Sequence, residues 1–278
     1  MQCQAQRGDP RPVGIMDSGA GGLTVVREVR KLLPHESILY FADAGRLPYG
    51  PRPAEEVRTF VYQIVKFLSG KGAKAVVLGC NTATAHALEY VREKVEVPVI
   101  GVIGPGVRAL ASSPVRTAGL IATEGTVRSG AYQMAIKERL PGVEVVAEAC
   151  PDFVPLVEAG LVDREEIERA VENHVQIFRK RNVDALIMGC THFPLLRPWL
   201  EAALPGVRMV DPARETAEEL KRVLENAGLA NAPRGDTESS GAELEFYTTG
   251  SVGDLNRQIT VFLGLAGARV HHVDISML

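Results

Sequence analysis

The sequence predicts an α/β protein made of two pseudo-symmetric lobes, each a mainly parallel sheet flanked by helices, with the functional site in the cleft between them. Short apolar runs alternate with helical patterns along the chain, which is typical of parallel strands joined by crossover helices. A strand, a glycine, a cysteine and a polar pair occur together at 75–82 and recur at 185–192, which indicates a repeated unit. The length of 278 residues suits one large α/β domain or two domains of ordinary size.

The first predicted strand, 13–16, leads into a glycine-rich loop at 17–22 that opens a helix over 23–33. Such a loop could cradle an anion, and a dinucleotide-binding fingerprint is the alternative interpretation. The spacing is not G-x-G-x-x-G, however, and Asp17 stands where a pyrophosphate would lie, so nucleotide binding is disfavoured. Asp17 is open to two interpretations, a helix cap or a catalytic group.

A second strand at 37–42 runs into an irregular loop at 43–51 that is rich in proline and glycine. Loops at this edge of a sheet commonly carry binding groups, and Tyr49, between Pro48 and Gly50, would have a defined orientation. The alternative is a turn that only packs Tyr49 on its domain. A helix over 54–68 with one apolar face then leads to the strand at 75–78.

The segment 98–106 is a predicted strand that leaves through glycine and proline, and we expect the chain to cross into the second lobe there. The predicted first lobe therefore comprises 1–103 and 213–278, and the second lobe comprises 104–212. The other predicted strands are 118–122, 143–147, 207–210, 244–249 and one near 270, and the other predicted helices begin at 129 and cover 164–181 and 255–263. The polar segment 231–241 is predicted to be mobile.

The composition excludes several classes of function. A net charge of −3 and an aromatic content of 5% give no basic surface for nucleic acid. The N-terminal residues 1–10 are polar and no apolar run is long enough for a membrane, so we expect a cytoplasmic protein. Its cysteines should stay reduced, and their wide spacing indicates neither a metal site nor a disulfide framework. They are Cys3, Cys80, Cys150 and Cys190, of which Cys150 is interpreted as a packed core thiol.

Cys80 and Cys190 each follow a strand and a glycine, at the edge of a parallel sheet where ligands bind. The helix N-termini at that edge carry partial positive charge, which should lower a thiol pKa from about 8.5 toward neutrality. The polar neighbours Asn81, Thr82 and Thr191 could hold a carboxylate or an ammonium group beside the sulfurs. We interpret the two cysteines as facing thiols in one site.

Three chemistries use a reactive thiol. A hydrolase would pair Cys190 with His192 but leaves Cys80 without a task, and a disulfide exchanger usually has its cysteines close in sequence. A two-base proton transfer uses both thiols, one to remove a proton from a carbon and the other to deliver a proton to the opposite face. That reaction inverts a stereocentre. A two-lobed amino-acid binding protein without catalysis is the non-enzymatic alternative.

Several motifs, in order and over nearly the whole chain, resemble those of the glutamate racemases in the aspartate/glutamate racemase superfamily. They are Asp17-Ser18-Gly19, Pro48-Tyr49-Gly50, Gly79-Cys80-Asn81-Thr82, Gly125-Thr126, Gly189-Cys190-Thr191-His192 and Asp211-Pro212-Ala213. The resemblance implies interconversion of L- and D-glutamate without a cofactor, so no pyridoxal phosphate and no metal, and a supply of D-glutamate for peptidoglycan. It also implies a homodimer, since the family is often dimeric.

The resemblance also implies a role for each matching residue. Cys80 and Cys190 would be the catalytic thiols, Cys190 facing the α-proton of L-glutamate and Cys80 that of D-glutamate, with Asp17 assisting Cys80 and His192 assisting Cys190. The implied substrate contacts are Asp17, Ser18, Tyr49, Gly50, Asn81, Thr82, Thr123, Thr126, Glu158, Thr191 and His192.

The chain departs from the family pattern at Ala44-Gly45, where a polar residue and alanine are more usual. The resemblance therefore does not determine the shape of this loop. An aspartate racemase is the closest rival, but its second motif more often reads Cys-Thr-Glu, and His192 favours glutamate. The short N-terminus lacks the regulatory extension of some relatives, so no activation by a cell-wall precursor is expected.

Overall fold

The computed structural model describes residues 8–231 and 242–278, which form two β-sheets flanked by helices. The strands are β1 (Val13–Asp17), β2 (Ile38–Ala42), β3 (Ala75–Leu78), β4 (Val99–Gly101), β5 (Thr117–Ala122), β6 (Glu144–Ala149), β7 (Ala185–Gly189), β8 (Arg208–Val210), β9 (Leu244–Thr248) and β10 (Val270–His272). The helices are α1 (Leu23–Leu32), α2 (Ala54–Gly70), α3 (Asn81–Arg92), α4 (Ile103–Leu110), α5 (Glu124–Ser129), α6 (Ala131–Arg139), α7 (Phe153–Glu158), α8 (Arg164–Lys180), α9 (Arg197–Ala203), α10 (Pro212–Asn226) and α11 (Val252–Leu263).

Every strand pair in both sheets is parallel. The first sheet has the order β10-β9-β2-β1-β3-β4 and so combines strands from both ends of the chain. The second has the order β6-β5-β7-β8. The predicted fold class, an α/β protein of two lobes with parallel sheets, is therefore confirmed. The lobe boundaries at 103/104 and 212/213 stay a prediction.

Each sheet is covered by helices on both faces, which is why its strands read as continuous apolar runs rather than as alternating ones. The helices α1, α10 and α11 pack on one face of the first sheet, and α2 and α3 pack on the other. The second sheet lies between α7, α8 and α9 on one side and α4 and α6 on the other. In α2, for example, Val57, Val61, Ile64 and Leu68 recur at helical spacing and are fully buried.

Two predicted element boundaries are wrong. The glycine and proline at 104–106 lie inside α4 rather than in a connecting segment, because Pro105 occupies the first helical turn, where its missing N–H has no partner to lose. The helix predicted to begin at Ser129 begins at Ala131, and the residues before it form a separate helix, α5, which was not predicted. Gly130, in the left-handed conformation at φ 68°, ends α5 and precedes α6.

Two predictions lie outside the described residues: the mobile segment, which falls almost entirely on 232–241, and the reduced state of Cys3. Cys80, Cys150 and Cys190 carry no disulfide, and Cys150 is buried in the core of the second lobe as predicted. Within the described ranges, no helix has both the length and the apolar character needed to span a membrane.

A buried ion pair ties the connections of the first lobe together. Lys74 lies directly before β3 and Glu36 lies two residues before β2. Lys74 Nζ is 2.5 Å from Glu36 Oε2, and both side chains are almost fully buried. Lys74 also donates to the carbonyl of Asp9, and Glu36 accepts from the backbone N–H of Asn231. The pair therefore joins the chain segment before β1, two strand starts and the segment after α10.

Lys74→Met is expected to destabilise the protein by about 3–5 kcal/mol, because it leaves the Glu36 carboxylate buried without its cation. The matched control is Lys31→Met, which removes a lysine from the exposed pair with Glu28 and should cost less than about 1 kcal/mol. Urea unfolding of both variants at pH 7 measures the difference. Equal losses for the two lysines would contradict the structural role given to the buried pair.

Candidate active site

The carboxyl ends of strands from both sheets surround one small cavity. Cys80 follows β3 of the first sheet after a single glycine, and Cys190 comes directly after β7 of the second sheet. Both sulfur-bearing residues line a cavity of about 20 Å³, which is room for about one water molecule. The other lining residues are Ser18, Leu47, Pro48, Tyr49, Gly50, Asn81, Thr82, Thr123, Val154, Gly189, Thr191 and His192. The sequence prediction that the two thiols share a site therefore agrees with their position here.

Cys80 lies at the N-terminus of α3, where its Sγ accepts a hydrogen bond from the backbone N–H of Ala83 at 3.5 Å and lies 3.7 Å from Ser18 Oγ. Burial, reinforced by the nearby Asp17 carboxylate, nevertheless raises the pKa of Cys80 to about 12. The prediction of a thiol pKa lowered toward neutrality is wrong for Cys80, because the loss of solvation outweighs the helix N-terminus. Cys80 is a neutral thiol at pH 7.

Cys190 has polar partners that Cys80 lacks. His192 Nδ1 lies 3.8 Å from Cys190 Sγ, and His192 Nε2 lies 2.6 Å from Glu158 Oε1. Gln258 on α11, which packs on the first sheet, donates from Nε2 to the other oxygen of Glu158 at 3.0 Å. A chain of hydrogen-bonding groups thus runs from the sulfur to the rim of the site.

The protonated form of His192 is favoured by this chain. Burial on its own lowers the pKa of His192, but the contacts with Cys190 and Glu158 raise it to about 10. In turn, burial on its own raises the pKa of Glu158, and the hydrogen bond from His192 lowers it. A cationic histidine can donate a proton to the thiolate form of the neighbouring cysteine, and the neutral imidazole that remains can accept that proton back.

Asp17 is fully buried and connects the two lobes. Its Oδ1 accepts from the backbone N–H of Gly19 at 2.9 Å, and its Oδ2 accepts from Thr191 Oγ1 at 3.1 Å. Of the two interpretations from sequence, the helix cap does not hold, because the residue at the start of α1 is Gly22 and no side chain caps it. Burial raises the pKa of Asp17, an effect that His192 opposes.

The glycine-rich loop serves this contact between the lobes. A side chain at Gly21 would collide with the Thr191 hydroxyl and would place its Cβ 2.8 Å from Thr191 Cβ and 2.9 Å from His192 Nδ1. The glycine therefore allows the loop after β1 to approach the second cysteine motif. A side chain at this position would require Thr191 or His192 to shift.

Hydroxyl groups from both lobes meet next to the cavity. Thr82 Oγ1, at the start of α3, lies 2.9 Å from Thr123 Oγ1 and 3.3 Å from Thr126 Oγ1, and the last two are 3.0 Å apart. Beside them, Tyr132 on α6 donates from its hydroxyl to Asn81 Oδ1 at 2.7 Å. Three hydroxyls in mutual contact offer both donors and acceptors to a polar ligand.

The loop that carries Tyr49 is held in place by hydrogen bonds to Asp43. The Tyr49 hydroxyl donates to Asp43, and the same carboxylate accepts from Arg46 Nε at 2.7 Å and from Thr249 Oγ1 at 2.8 Å. Gly45 donates from its N–H to Thr249 Oγ1 at 2.9 Å, so the departure from the family pattern at this position leaves the loop attached. Tyr49 is thus held in place by Asp43 and lines the cavity, and its role as a binding group stays a prediction.

The structure gathers all the predicted site residues in one place, with Asp17, Thr126 and Glu158 lying behind the lining and touching it. Sequence reasoning missed the residues that hold the lining in position. They are Arg46, Tyr132, Thr249 and Gln258. Tyr132, Thr249 and Gln258 each act through a partner remote along the chain, so their sequence neighbourhoods give no chemical pattern. Arg46 acts through Asp43, three residues away in the same loop. In the described ranges, no group of three or more His, Cys, Asp or Glu side chains could hold a metal ion.

Glu158→Gln is expected to lower the pKa of His192, because the imidazolium loses its ionised partner. The pKa of His192 is about 10 in the folded chain and about 6.5 in an unfolded chain, so the pair stabilises the fold fully below pH 6.5 and loses that effect as the pH rises toward 10. The stability difference between wild type and Glu158→Gln should thus be largest at about pH 6 and shrink toward about pH 10. Urea unfolding across this range measures it.

Glu172→Gln is the matched control. Glu172 pairs with Arg179 on the exposed face of α8, and arginine does not titrate in this range, so the difference from wild type should stay constant. A profile for Glu158→Gln that is as flat as the control would contradict the ion pair with His192.

Comparison with known proteins identifies the family. The family model for Asp/Glu/Hydantoin racemases matches residues 14–220. A glutamate racemase from Lactiplantibacillus plantarum is 44% identical over 265 residues, covering 95% of this chain and 96% of that protein. A glutamate racemase isoform from Bacillus anthracis superposes with a TM-score of 0.89 at 38% identity, over 95% of this chain and 98% of that chain. A glutamate racemase from Francisella tularensis in complex with D-glutamate superposes with a TM-score of 0.88 at 33% identity, over 97% of this chain and 100% of that chain. With a match over most of its length and relatives at this identity, the chain belongs to the Asp/Glu/Hydantoin racemase family.

Proposed function

We propose that this chain is a glutamate racemase that interconverts L- and D-glutamate by proton transfer between two cysteines. The observation that carries the proposal is the position of Cys80 and Cys190, which come from different sheets and line the same small cavity. A reaction that needs one proton acceptor and one proton donor on opposite faces of a carbon requires two such groups. A single-nucleophile mechanism would leave one of the sulfurs unexplained.

In the direction from L- to D-glutamate, the Cys190 thiolate removes the α-proton from one face of the α-carbon. The Cys80 thiol delivers its own proton to the opposite face, so the C–H bond that breaks is replaced by one of inverted configuration. The raised pKa of Cys80, about 12, suits this role because the sulfur holds its proton at pH 7. Cys190 is then protonated and Cys80 deprotonated, ready for the reverse reaction.

The assisting groups differ between the two sulfurs. His192 Nδ1, 3.8 Å from Cys190 Sγ, is the group that exchanges a proton with that thiol. Asp17, whose pKa is raised by burial, is the group assigned to Cys80. The burial of these side chains supports the chemistry further, since a low-dielectric surrounding strengthens each of these electrostatic contacts.

Glutamate is bound, in this proposal, by the polar lining between the sulfurs. The amide of Asn81 and the hydroxyls of Ser18, Thr82, Thr123 and Thr191 reach the cavity with Tyr49 and Gly50 on one side. The free N–H groups at the start of α3 suit a carboxylate. The cavity is several times smaller than glutamate, so the lobes must separate for the substrate to bind.

Glutamate is preferred to aspartate because the relatives above are named glutamate racemases and because His192 stands in the second cysteine motif. We also propose that the reaction needs no cofactor, that it supplies D-glutamate for peptidoglycan, and that the protein is a cytoplasmic homodimer. Sedimentation of the purified protein tests the oligomeric state.

Polarimetry with purified protein and L-glutamate tests the proposal, and the optical rotation should fall to zero without added cofactor. In heavy water, solvent deuterium should enter the α-carbon during turnover. Loss of rotation with L-aspartate only would make the protein an aspartate racemase. Binding of glutamate without any loss of rotation would make it a binding protein.

Cys80→Ser and Cys190→Ser should each reduce racemisation to below detection, because a hydroxyl is far too weakly acidic to replace either thiol. Cys150→Ala is the control, since this third cysteine is buried in the second lobe away from the cavity lining and its loss should leave the kinetics unchanged. Appreciable turnover by either serine variant would reject the two-cysteine mechanism.

His192→Asn should increase the deuterium isotope effect for glutamate labelled at the α-carbon more for the L form than for the D form, and Asp17→Asn should do the reverse. Loss of an assisting group makes proton removal by its own sulfur more rate-limiting. The values of kcat/KM cannot report this, because enantiomers have equal free energy and kcat/KM is therefore equal in both directions. Initial rates with each labelled enantiomer, followed by circular dichroism, make the measurement. Equal changes for both enantiomers would contradict the assigned pairs.

A further inference from the structure

A fully buried tyrosine of the second lobe contacts the amide of Asn81 in the first. Tyr132 lies on α6, and its hydroxyl is 2.7 Å from Asn81 Oδ1, at the first position of α3. Neither side chain is more than 3% exposed. Asn81 lines the cavity with both sulfurs, whereas Tyr132 lies behind it and does not reach the cavity.

The contact fixes which way the Asn81 amide points. Burial raises the pKa of Tyr132 far above its usual range, so its hydroxyl keeps its proton and is available as a donor. In the part of the chain that the structure describes, Asn81 Oδ1 is the acceptor within reach of that proton. The reverse orientation of the amide would leave the hydroxyl proton without an acceptor, which is costly in a buried site.

With Oδ1 turned toward Tyr132, the two N–H donors of the amide are directed away from it. Among the described residues, Asn81 Nδ2 makes no hydrogen bond to the protein, although the side chain borders the cavity. We therefore propose that Tyr132 is a positioning residue, which orients the Asn81 amide so that its N–H groups face the substrate carboxylate. The inference rests on the proposed function.

Close packing against α4 restricts the position of the Tyr132 ring. On α4, a Cβ at Gly106 would lie 3.1 Å from the Tyr132 hydroxyl oxygen, 3.2 Å from Pro212 Cγ and 3.3 Å from Tyr132 Cε1. These distances are shorter than usual for such contacts, so a side chain at this position would displace the hydroxyl by a few tenths of an ångström. The missing side chain of Gly106 thus makes the room in which the hydroxyl meets Asn81.

The first test is Tyr132→Phe, which keeps the ring and removes the donor. We expect kcat/KM for glutamate to fall by about tenfold or more, because the amide loses its orienting partner and Oδ1 is left unsatisfied. A purely structural role would lower the melting temperature and leave kcat/KM unchanged. The same substitution in an Asn81→Ala background should have no further effect on kcat/KM, because Tyr132 acts through Asn81.

A second pair of variants tests the same contact without removing the hydroxyl. Gly106→Ala should lower kcat/KM several-fold by displacing the Tyr132 hydroxyl. Gly104→Ala is its matched control on the same helix, since the nearest atom to its added Cβ is Arg108 Nη1 at 3.9 Å, and its kinetics should equal those of wild type. Both changes favour the helix, so both proteins should fold.

The outcomes separate the inference from the proposed function. If wild type does not racemise glutamate, the proposed function fails. If Asn81→Ala lowers kcat/KM while Tyr132→Phe and Gly106→Ala stay within twofold of wild type, the function stands and the positioning role of Tyr132 is overturned. A further loss from Tyr132→Phe in the Asn81→Ala background would likewise overturn it.

Discussion

The structure depends on one constraint: two parallel sheets must bring the carboxyl ends of their central strands to the same small volume. A parallel sheet places all its strand ends at one edge, and two such edges facing one another give a site that neither sheet could form alone. Contacts between the lobes hold the edges together around the cavity. They are Asp17 with Thr191, Asn81 with Tyr132, Thr82 with Thr123, and Gln258 with Glu158.

Although the two cysteine motifs look alike in sequence, their surroundings give the sulfurs different chemistry. Around Cys80, burial and a nearby carboxylate oppose ionisation and raise the thiol pKa to about 12. Next to Cys190, contacts with that sulfur and with Glu158 raise the pKa of His192 and favour its protonated form, and the Glu158 carboxylate extends to the rim of the site. The duplicated strand and glycine set the position of each sulfur, and the groups packed around it differ between the two lobes.

Much of the fold was predictable because it depends on local patterns. Buried parallel strands are short apolar runs, and the strand at Ala75–Leu78 has the bounds that the sequence predicts. The glycine and proline at 104–106 misled the prediction, since a proline in the first turn of a helix looks the same in sequence as a proline in a loop. The break between α5 and α6 comes from the left-handed backbone conformation of Gly130, which the apolar pattern around it does not indicate.

The site was predictable where chemistry lies in the motif itself, as at Cys80 and Cys190. It was not predictable where a residue acts through a partner far along the chain. Tyr132 meets Asn81 across 51 positions and Gln258 meets Glu158 across 100, so only the folded chain brings them together. The predicted direction of the Cys80 pKa shift is wrong for a similar reason. The burial that raises this pKa follows from the packing of the folded chain rather than from the neighbours of Cys80 in sequence.

In the proposed mechanism, the contacts between the lobes loosen to admit glutamate to this small cavity and form again around it, so that the reacting carbon is fixed between the sulfurs. A crystal structure of the protein with D-glutamate tests this central claim most directly. The account predicts that the α-carbon lies between Cys80 and Cys190, with a sulfur on each face at about 3–3.5 Å, the separation of groups poised to react. A glutamate whose α-carbon lies beside one sulfur alone, or that binds outside the cavity between the sheets, would contradict it.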